Sequence, residues 1–214
     1  MHTEALSEAQ HELLEGLKNV EQVAGFYLAG GTALALRYGH RRSIDFDFFR
    51  TNRFDERQLL SELDRQYGPV ERLSSGDQTT YVRINGVTVS FFQSPYPLIK
   101  SVDDTPWNFG LASSPDLAAM KLEAIAGRGS RKDFIDLYWL CKVELTMTDV
   151  LRYFELKYPA ERAETYHRLR ALAYFDDAEL EPMPDMIEPL VSGDVRGFFT
   201  REATRLLRLA IDPE

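Results

Sequence analysis

Residues 78–92, QTTYVRINGVTVSFF, constrain the fold more than any other stretch of this 214-residue chain. Two β-rich runs flank Asn85-Gly86, a dipeptide suited to the left-handed backbone of a two-residue hairpin turn. An antiparallel pair is expected there, and the residues around it must supply the rest of a sheet. Upstream, Phe26-Tyr27-Leu28-Ala29 reads as a short buried strand and Gly30-Gly31 as a tight turn. Thr32 then reads as the N-cap of a helix running to about Tyr38, and Ile44 to Phe49 as the next strand. Two further helices are expected in this half. Residues 5–19 place Leu13, Leu14 and Leu17 at helical spacing, and Asp55 with Gln58 resembles a capping box before a helix that stops at Gly68-Pro69.

From Ser113 onward the strands give out. Ser114-Pro115 opens SPDLAAMKLEAIAGR, with proline at a first helical position, and a second helix carrying KDFIDLYWLCK begins near Arg131. Helical patterns recur in TDVLRYFELKY, in ERAETYHRLRALAYF and in DVRGFFTREATRLLRLAI, with the Pro-rich loop EPMPDMIEP between the last two. The expected class is α+β: a mixed sheet with flanking helices over residues 1–110, followed by an all-helical half over residues 111–214.

Hydrophobic residues at 44% and charged residues at 28% provide enough apolar material for a packed core and exclude intrinsic disorder. The single cysteine, Cys141, lies in the apolar segment DLYWLCKV and is expected to be a small core residue. It rules out both a disulfide framework and a thiolate metal site. Every apolar run is far shorter than the roughly 20 residues of a membrane span, and the acidic N-terminus lacks a signal-peptide layout. The expectation is a cytoplasmic protein without a membrane partner. A formal charge of −9 argues against coating nucleic acid by bulk electrostatics. Local clusters remain for that purpose: His40-Arg41-Arg42, Arg128 with Arg131 and Lys132, and Arg201, Arg205 and Arg208. Each is also what an ion-paired helix face looks like.

The segment LAGGTALALRYGHRRSIDFDFF, residues 28–49, holds the candidate chemistry. Strand alternation puts Asp45 and Asp47 on one face, about 7 Å apart, with Ile44, Phe46 and Phe48 pointing into apolar surroundings on the other. Such a pair repels. Either it meets solvent at an edge with Arg41 and Arg42 neutralising it, or a divalent cation sits between the two carboxylates. Mg²⁺ suits the second reading, because it takes carboxylate oxygens and keeps positions for water and phosphate. Gly30-Gly31-Thr32 stands at a strand-to-helix turn, where unsatisfied N–H groups and the helix dipole favour an anion and a Thr hydroxyl can donate to phosphate. A plain glycine turn followed by a capping threonine fits the same residues.

In this order, AGGTALAL, HRRSIDFDFF, VTVSFFQSPYPL and KLEAIAGRGSRKDFIDLYWL resemble the AbiEii/AbiGii toxin family of nucleotidyltransferases, within the DNA polymerase beta-like superfamily. The resemblance covers about residues 25–145. It implies that Asp45 and Asp47 bind Mg²⁺ and that the turn Gly30, Gly31 and Thr32 holds a nucleoside triphosphate, with Arg42, Ser43 and Arg128 as further nucleotide-binding candidates. It also implies that Lys121 and Asp136 are required for activity. A lysine ammonium is a compact charge suited to triphosphate oxygens, and Arg128, two turns on, is expected on the same helix face. As ordinary helix residues, Lys121 would be solvated and Asp136 would pair with Lys132. Asp133 is a weaker choice than Asp136, because an acid in a first turn complements the helix dipole.

The implied activity is transfer of NMP from an NTP to an acceptor hydroxyl, with a tRNA 3′ end as acceptor and a cognate antitoxin as partner. The alternative is a nucleotide-binding or regulatory protein that keeps the fold without turnover. One position departs from the superfamily pattern, which often has a third carboxylate on a neighbouring strand. VTVSFF offers Ser90 there, with Thr88, Ser90 and Phe92 on one face and only Val87, Val89 and Phe91 on the other.

Overall fold

The computed structural model describes residues 1–160 and 165–211 and divides the chain into two compact units, one from Met1 to Ser113 and one from Ser114 onward. The first contains α1 (Glu8–Leu17), β1 (Tyr27–Ala29), α2 (Gly30–Tyr38), β2 (Asp45–Arg50), α3 (Glu56–Tyr67), β3 (Glu71–Gly76), β4 (Thr79–Ile84), β5 (Val87–Gln93) and β6 (Gly110–Leu111). Its six strands form one mixed sheet in the order β3-β4-β5-β2-β1-β6, parallel between β2 and β5 and between β1 and β6.

The expected hairpin joins β4 to β5. Asn85 and Gly86 have φ of 50° and 83°, and Ile84 pairs with Val87 across the turn. Two positive φ values in succession match the twist of the flanking strands, which explains why this dipeptide signalled the turn. The helix starts also have local causes. Ser7 and Gln10 form a reciprocal capping box on α1, and Asp55 accepts from the N–H groups of Arg57 and Gln58 to open α3. α2 ends at Gly39, whose φ of 65° allows its N–H to return to the Ala35 carbonyl at 2.8 Å.

The two faces of the sheet differ. Phe46, Phe48, Val89, Phe91 and Val82 are fully buried on one face, where Phe48 stacks on Phe91 at 5.3 Å and Phe26 meets Phe91 edge-on at 5.2 Å. Burying each such ring contributes about 1.5–3 kcal/mol, so this face anchors the unit. The opposite face carries Asp45, Asp47 and Phe49 on β2 and Thr88, Ser90 and Phe92 on β5, and all of these except Ser90 are half-buried. Ile44 does not join the apolar face as expected. It precedes the strand and is 76% exposed, because β2 begins at Asp45.

Two strands went unread from sequence. β3, ERLSSG, is exposed throughout and pairs only with β4, so an edge strand of this kind shows no apolar alternation. β6 has two residues, too few for a pattern.

The second unit contains α4 (Ser114–Gly127), α5 (Arg131–Val143), α6 (Met147–Lys157), α7 (Thr165–Ala171), α8 (Asp176–Leu180) and α9 (Ser192–Ile211). The expected helix over 161–175 lies outside the described residues at 161–164 and is otherwise represented by α7. α8 was not expected, since five residues carry too little periodicity to be seen. Phe134 of α5 packs against Phe175 at 4.3 Å and Phe199 of α9 at 5.5 Å. Beneath α4, the Lys157 ammonium lies 2.7 Å from Asp116, with both side chains fully buried. Removing one partner of such a pair typically costs about 3–5 kcal/mol, because the other charge stays buried.

Candidate functional site

The candidate residues fall into two groups, one in each unit. In the first unit, β1 runs straight into α2, and Gly30 is the first helical residue with φ of +67°. Ala29, just before it, pairs across the sheet with Asp47. A Cβ on Gly30 would lie 2.5 Å from the nearer Asp47 carboxylate oxygen. Only glycine both adopts this backbone and leaves the carboxylate its place beside the start of the helix. The first N–H groups of α2 have no helical acceptor, so Gly30 and Gly31 present donors at the end of the helix where an anion is favoured.

Thr32 does not cap α2. Ala29 occupies the cap position, and Thr32 is the third helical residue, buried. Its hydroxyl donates to the Asp45 carbonyl and lies 2.7 Å from Ser43 Oγ. The threonine therefore ties α2 to the entry of β2 and fixes where Asp45 leaves the loop. It was misread as a cap because a helix opening on a positive-φ glycine starts three residues before the sequence pattern places it.

Asp45 and Asp47 project from the same half-buried face, as expected, with Thr88 and Ser90 as their register partners on β5. Ser90 thus stands directly beside Asp47, where a third carboxylate would sit. Among the described residues no group of three His, Cys, Asp or Glu could hold a metal. A two-carboxylate donor set beside backbone donors suits a cation that keeps most of its positions for water and phosphate oxygens, as Mg²⁺ does. The Gly30 vacancy that accommodates Asp47 fits the same use.

The basic residues before β2 hold the local backbone. Arg41 is buried and donates to the Arg42 carbonyl at 2.9 Å, while Arg42 donates to the Glu4 carbonyl at 3.0 Å. Ser43 is buried against Thr32.

In the second unit, Lys121 of α4 is buried with its ammonium 2.8 Å from Asp133 and 2.7 Å from Asp136 of α5. Asp133 and Asp136 are one helical turn apart, which aims both carboxylates at the lysine. Asp136 is thus the partner of a buried lysine on another helix. Arg128 lies just past the end of α4, not on its face, and grips Asp133 with two donors at 2.7 and 3.0 Å. Burial pushes the Asp133 carboxyl up, but the Lys121 ammonium and the Arg128 guanidinium outweigh it and hold the group below the ordinary carboxylate range.

Asp133 was undervalued from sequence, and it is the carboxylate that Lys121 and Arg128 share. Its first-turn position explains the miss. Arg131 is absorbed by structure: its guanidinium donates to the carbonyls of Ala178 and Glu179, both at 2.8 Å. Cys141 is half-buried against Met147 Sδ at 3.5 Å, and burial pushes its thiol up to about 12, which leaves it neutral at ordinary pH.

Residues 12–207 match the family described as nucleotidyl transferase AbiEii toxin, type IV toxin-antitoxin system. The chain is 35% identical over 206 residues to an uncharacterized protein of Aquifex aeolicus (strain VF5), covering 94% of this chain and 98% of that one. Among solved structures it is similar to MenT4, a nucleotidyltransferase toxin from Mycobacterium tuberculosis H37Rv. That match has a TM-score of 0.61 at 20% identity and covers 92% of this chain and 84% of that one. No helix among the described residues is long and apolar enough to cross a membrane.

Proposed function

Because the chain belongs to the AbiEii family of nucleotidyltransferase toxins, we propose that it uses Mg²⁺ to transfer a nucleoside monophosphate from an NTP to the 3′ hydroxyl of a tRNA. A cognate antitoxin then completes the pair, in keeping with the type IV toxin-antitoxin description of the family. The observation that carries this reading is the placement of Asp47 against Gly30, at the start of α2 and on the same strand face as Asp45.

In this proposal the N–H groups of Gly30 and Gly31 bind phosphate oxygens of the NTP, and Thr32 acts through Asp45, whose carbonyl it holds. Asp45 and Asp47 are the residues that would hold Mg²⁺. Bound there, the cation supplies charge neutralisation for the triphosphate. The acceptor oxygen forms a bond to the α-phosphorus, the bond from that phosphorus to the β-phosphate bridge breaks, and pyrophosphate leaves with the electron pair. The acceptor proton passes to water, since Ser90 and not a carboxylate stands beside Asp47. Within the helical unit, the reading keeps Lys121 and Asp136 as residues required for activity and adds Asp133 as the group that positions Lys121 and Arg128. Catalysis of this kind is mainly positioning and electrostatic stabilisation.

The test is incubation with Mg²⁺, each α-labelled NTP in turn and total tRNA, beside the Asp45→Ala variant. Label is expected on tRNA with the wild type alone and is lost on adding EDTA. Label on another acceptor corrects the tRNA assignment. If no label moves in any mixture, and Asp45→Ala binds Mg·NTP as well as the wild type, the protein is a nucleotide-binding member of its family without turnover.

A further inference from the structure

Two grooves in the helical unit share Arg128, just past the end of α4. The larger, about 640 Å³, is also lined by His167, Arg170, Tyr174 and Asp177. The smaller, about 440 Å³, is lined by Lys132 and Glu181 on the other side of Arg128. α7 turns one stripe toward the larger groove. His167 and Arg170 lie on it, with Tyr174 just beyond the helix, at spacings of three and four residues. The opposite side of α7 carries the buried Leu169 and Leu172.

The cations of these grooves stand out in a chain with 34 acidic and 25 basic residues. Other arginines of the unit are taken up by carboxylates: Arg168 is buried on Glu123 at 2.9 Å, and Arg196 meets Glu179 at 2.8 Å. Arg170 and Lys132 form no ion pair among the described residues, although Asp177 and Glu181 line the same grooves. Between them, Arg128 holds the buried Asp133 through Nε and Nη2 while its side chain stays 61% exposed. A guanidinium fixed along one edge and exposed at the junction of two grooves is preorganised for a phosphate. The same Asp133 lies 2.8 Å from the Lys121 ammonium, so the grooves adjoin the cluster that the family reading requires for activity.

Tyr174 adds a flat surface. It is 52% exposed and stacks on no other ring among the described residues. Cations for a phosphate backbone beside an open aromatic face are the means by which proteins hold single-stranded nucleic acid. The larger groove has the volume of a small-ligand site, which suits a short single strand and is too small for a duplex. We propose that these grooves bind the single-stranded 3′ end of the acceptor RNA, with Arg170, Arg128 and Lys132 on its phosphates and Tyr174 against a base. The proposal rests on the reading of the chain as a transferase acting on tRNA, and it goes beyond that reading by naming the surface that holds the acceptor. Phosphate contacts carry no sequence information, so the grooves select an unpaired end and not a particular sequence.

The test titrates total tRNA, intact or trimmed of its single-stranded 3′ end, against the wild type, Arg170→Gln and Tyr174→Leu by fluorescence anisotropy. Salt is varied between about 50 and 200 mM. ATP affinity in Mg²⁺, thermal unfolding and transfer of α-label to tRNA are measured on the same proteins. Arg170→Gln is expected to bind intact tRNA about tenfold more weakly, the scale of one charge-assisted hydrogen bond. Its slope of log affinity against log salt is expected to be shallower by about 0.7, the value for one single-strand phosphate. Tyr174→Leu is expected to bind roughly five- to a hundredfold more weakly with an unchanged slope. The three proteins should bind trimmed tRNA alike, and wild-type ATP affinity and unfolding show that the variants are folded. Wild-type affinity of both variants for intact tRNA overturns the proposal, and so does an equal loss on intact and trimmed tRNA. A folded variant that loses ATP affinity assigns the grooves to the NTP and likewise overturns it. These failures leave the transferase reading standing where the wild type labels tRNA. A wild type that neither binds nor labels tRNA refutes the tRNA reading, and the assignment of the grooves with it.

Discussion

Gly30 concentrates the logic of the strand-face site in one residue. Its φ of +67° costs a side-chain-bearing residue about 1–2 kcal/mol, and a Cβ there would meet the Asp47 carboxylate at 2.5 Å. Gly30→Ala should therefore do little to the fold and much to the site. Thermal unfolding is expected to show a loss of about 1–2 kcal/mol, while nucleotide transfer falls by roughly a hundredfold because the carboxylate is pushed aside. Wild-type transfer in a folded Gly30→Ala protein contradicts the role given to Asp47. Thr32 shows how a residue's type can be legible while its use is not. A hydroxyl after two glycines reads as a cap, and only the helix starting at Gly30 turns it toward the Asp45 carbonyl.

At the scale of elements, the pairing of α4 with α5 carries a pH dependence with a definite sign. Asp133 is held below the ordinary carboxylate range by Lys121 and Arg128, so its contribution is present above its unfolded pKa, near 3.9, and is lost as pH falls through the lowered folded value. Asp133→Asn is expected to cost about 2 kcal/mol at neutral pH, the scale of hydrogen bonds to a charged group. Denaturant titrations across pH should show that difference shrinking below about pH 4. A difference that stays constant down to pH 2 contradicts the ion-paired arrangement.

The elements themselves were legible in proportion to their chemistry. Asn85-Gly86 announced the β4–β5 hairpin because the turn needs two positive φ values, and Ser114-Pro115 announced α4 because proline suits a helix start. β3 was invisible because an exposed edge made of ERLSSG needs no apolar face. Asp133 was undervalued because an acid in a first turn already has a local explanation, and nothing in its spacing reveals the two cations it meets. The contact between Phe49 and Phe92 was half legible: alternation put Phe92 on the face that carries Ser90, but its stacking on Phe49 depends on β2 and β5 being neighbours.

At the scale of the molecule, the family match spans residues 12–207, so it takes in most of both units. The net charge of −9 leaves any RNA acceptor to local cations, and several of these are already committed to structure. Arg41 is buried, Arg131 caps the carbonyls of α8, and Arg205 pairs with Glu202 at 2.7 Å. Binding of tRNA is thus expected to be modest and to weaken with added salt along a shallow slope, since few phosphates are neutralised. The central claim is that the Asp45–Asp47 face performs nucleotidyl transfer, and a double-label experiment tests it most directly. NTP labelled at the α-phosphate and, separately, at the γ-phosphate is supplied to the wild type and to Asp47→Asn with Mg²⁺ and tRNA. The account predicts that the wild type leaves the α-label on the acceptor and releases the γ-label as pyrophosphate, and that the variant does neither. Transfer of the γ-label to the acceptor, or undiminished α-label transfer by Asp47→Asn, would contradict it.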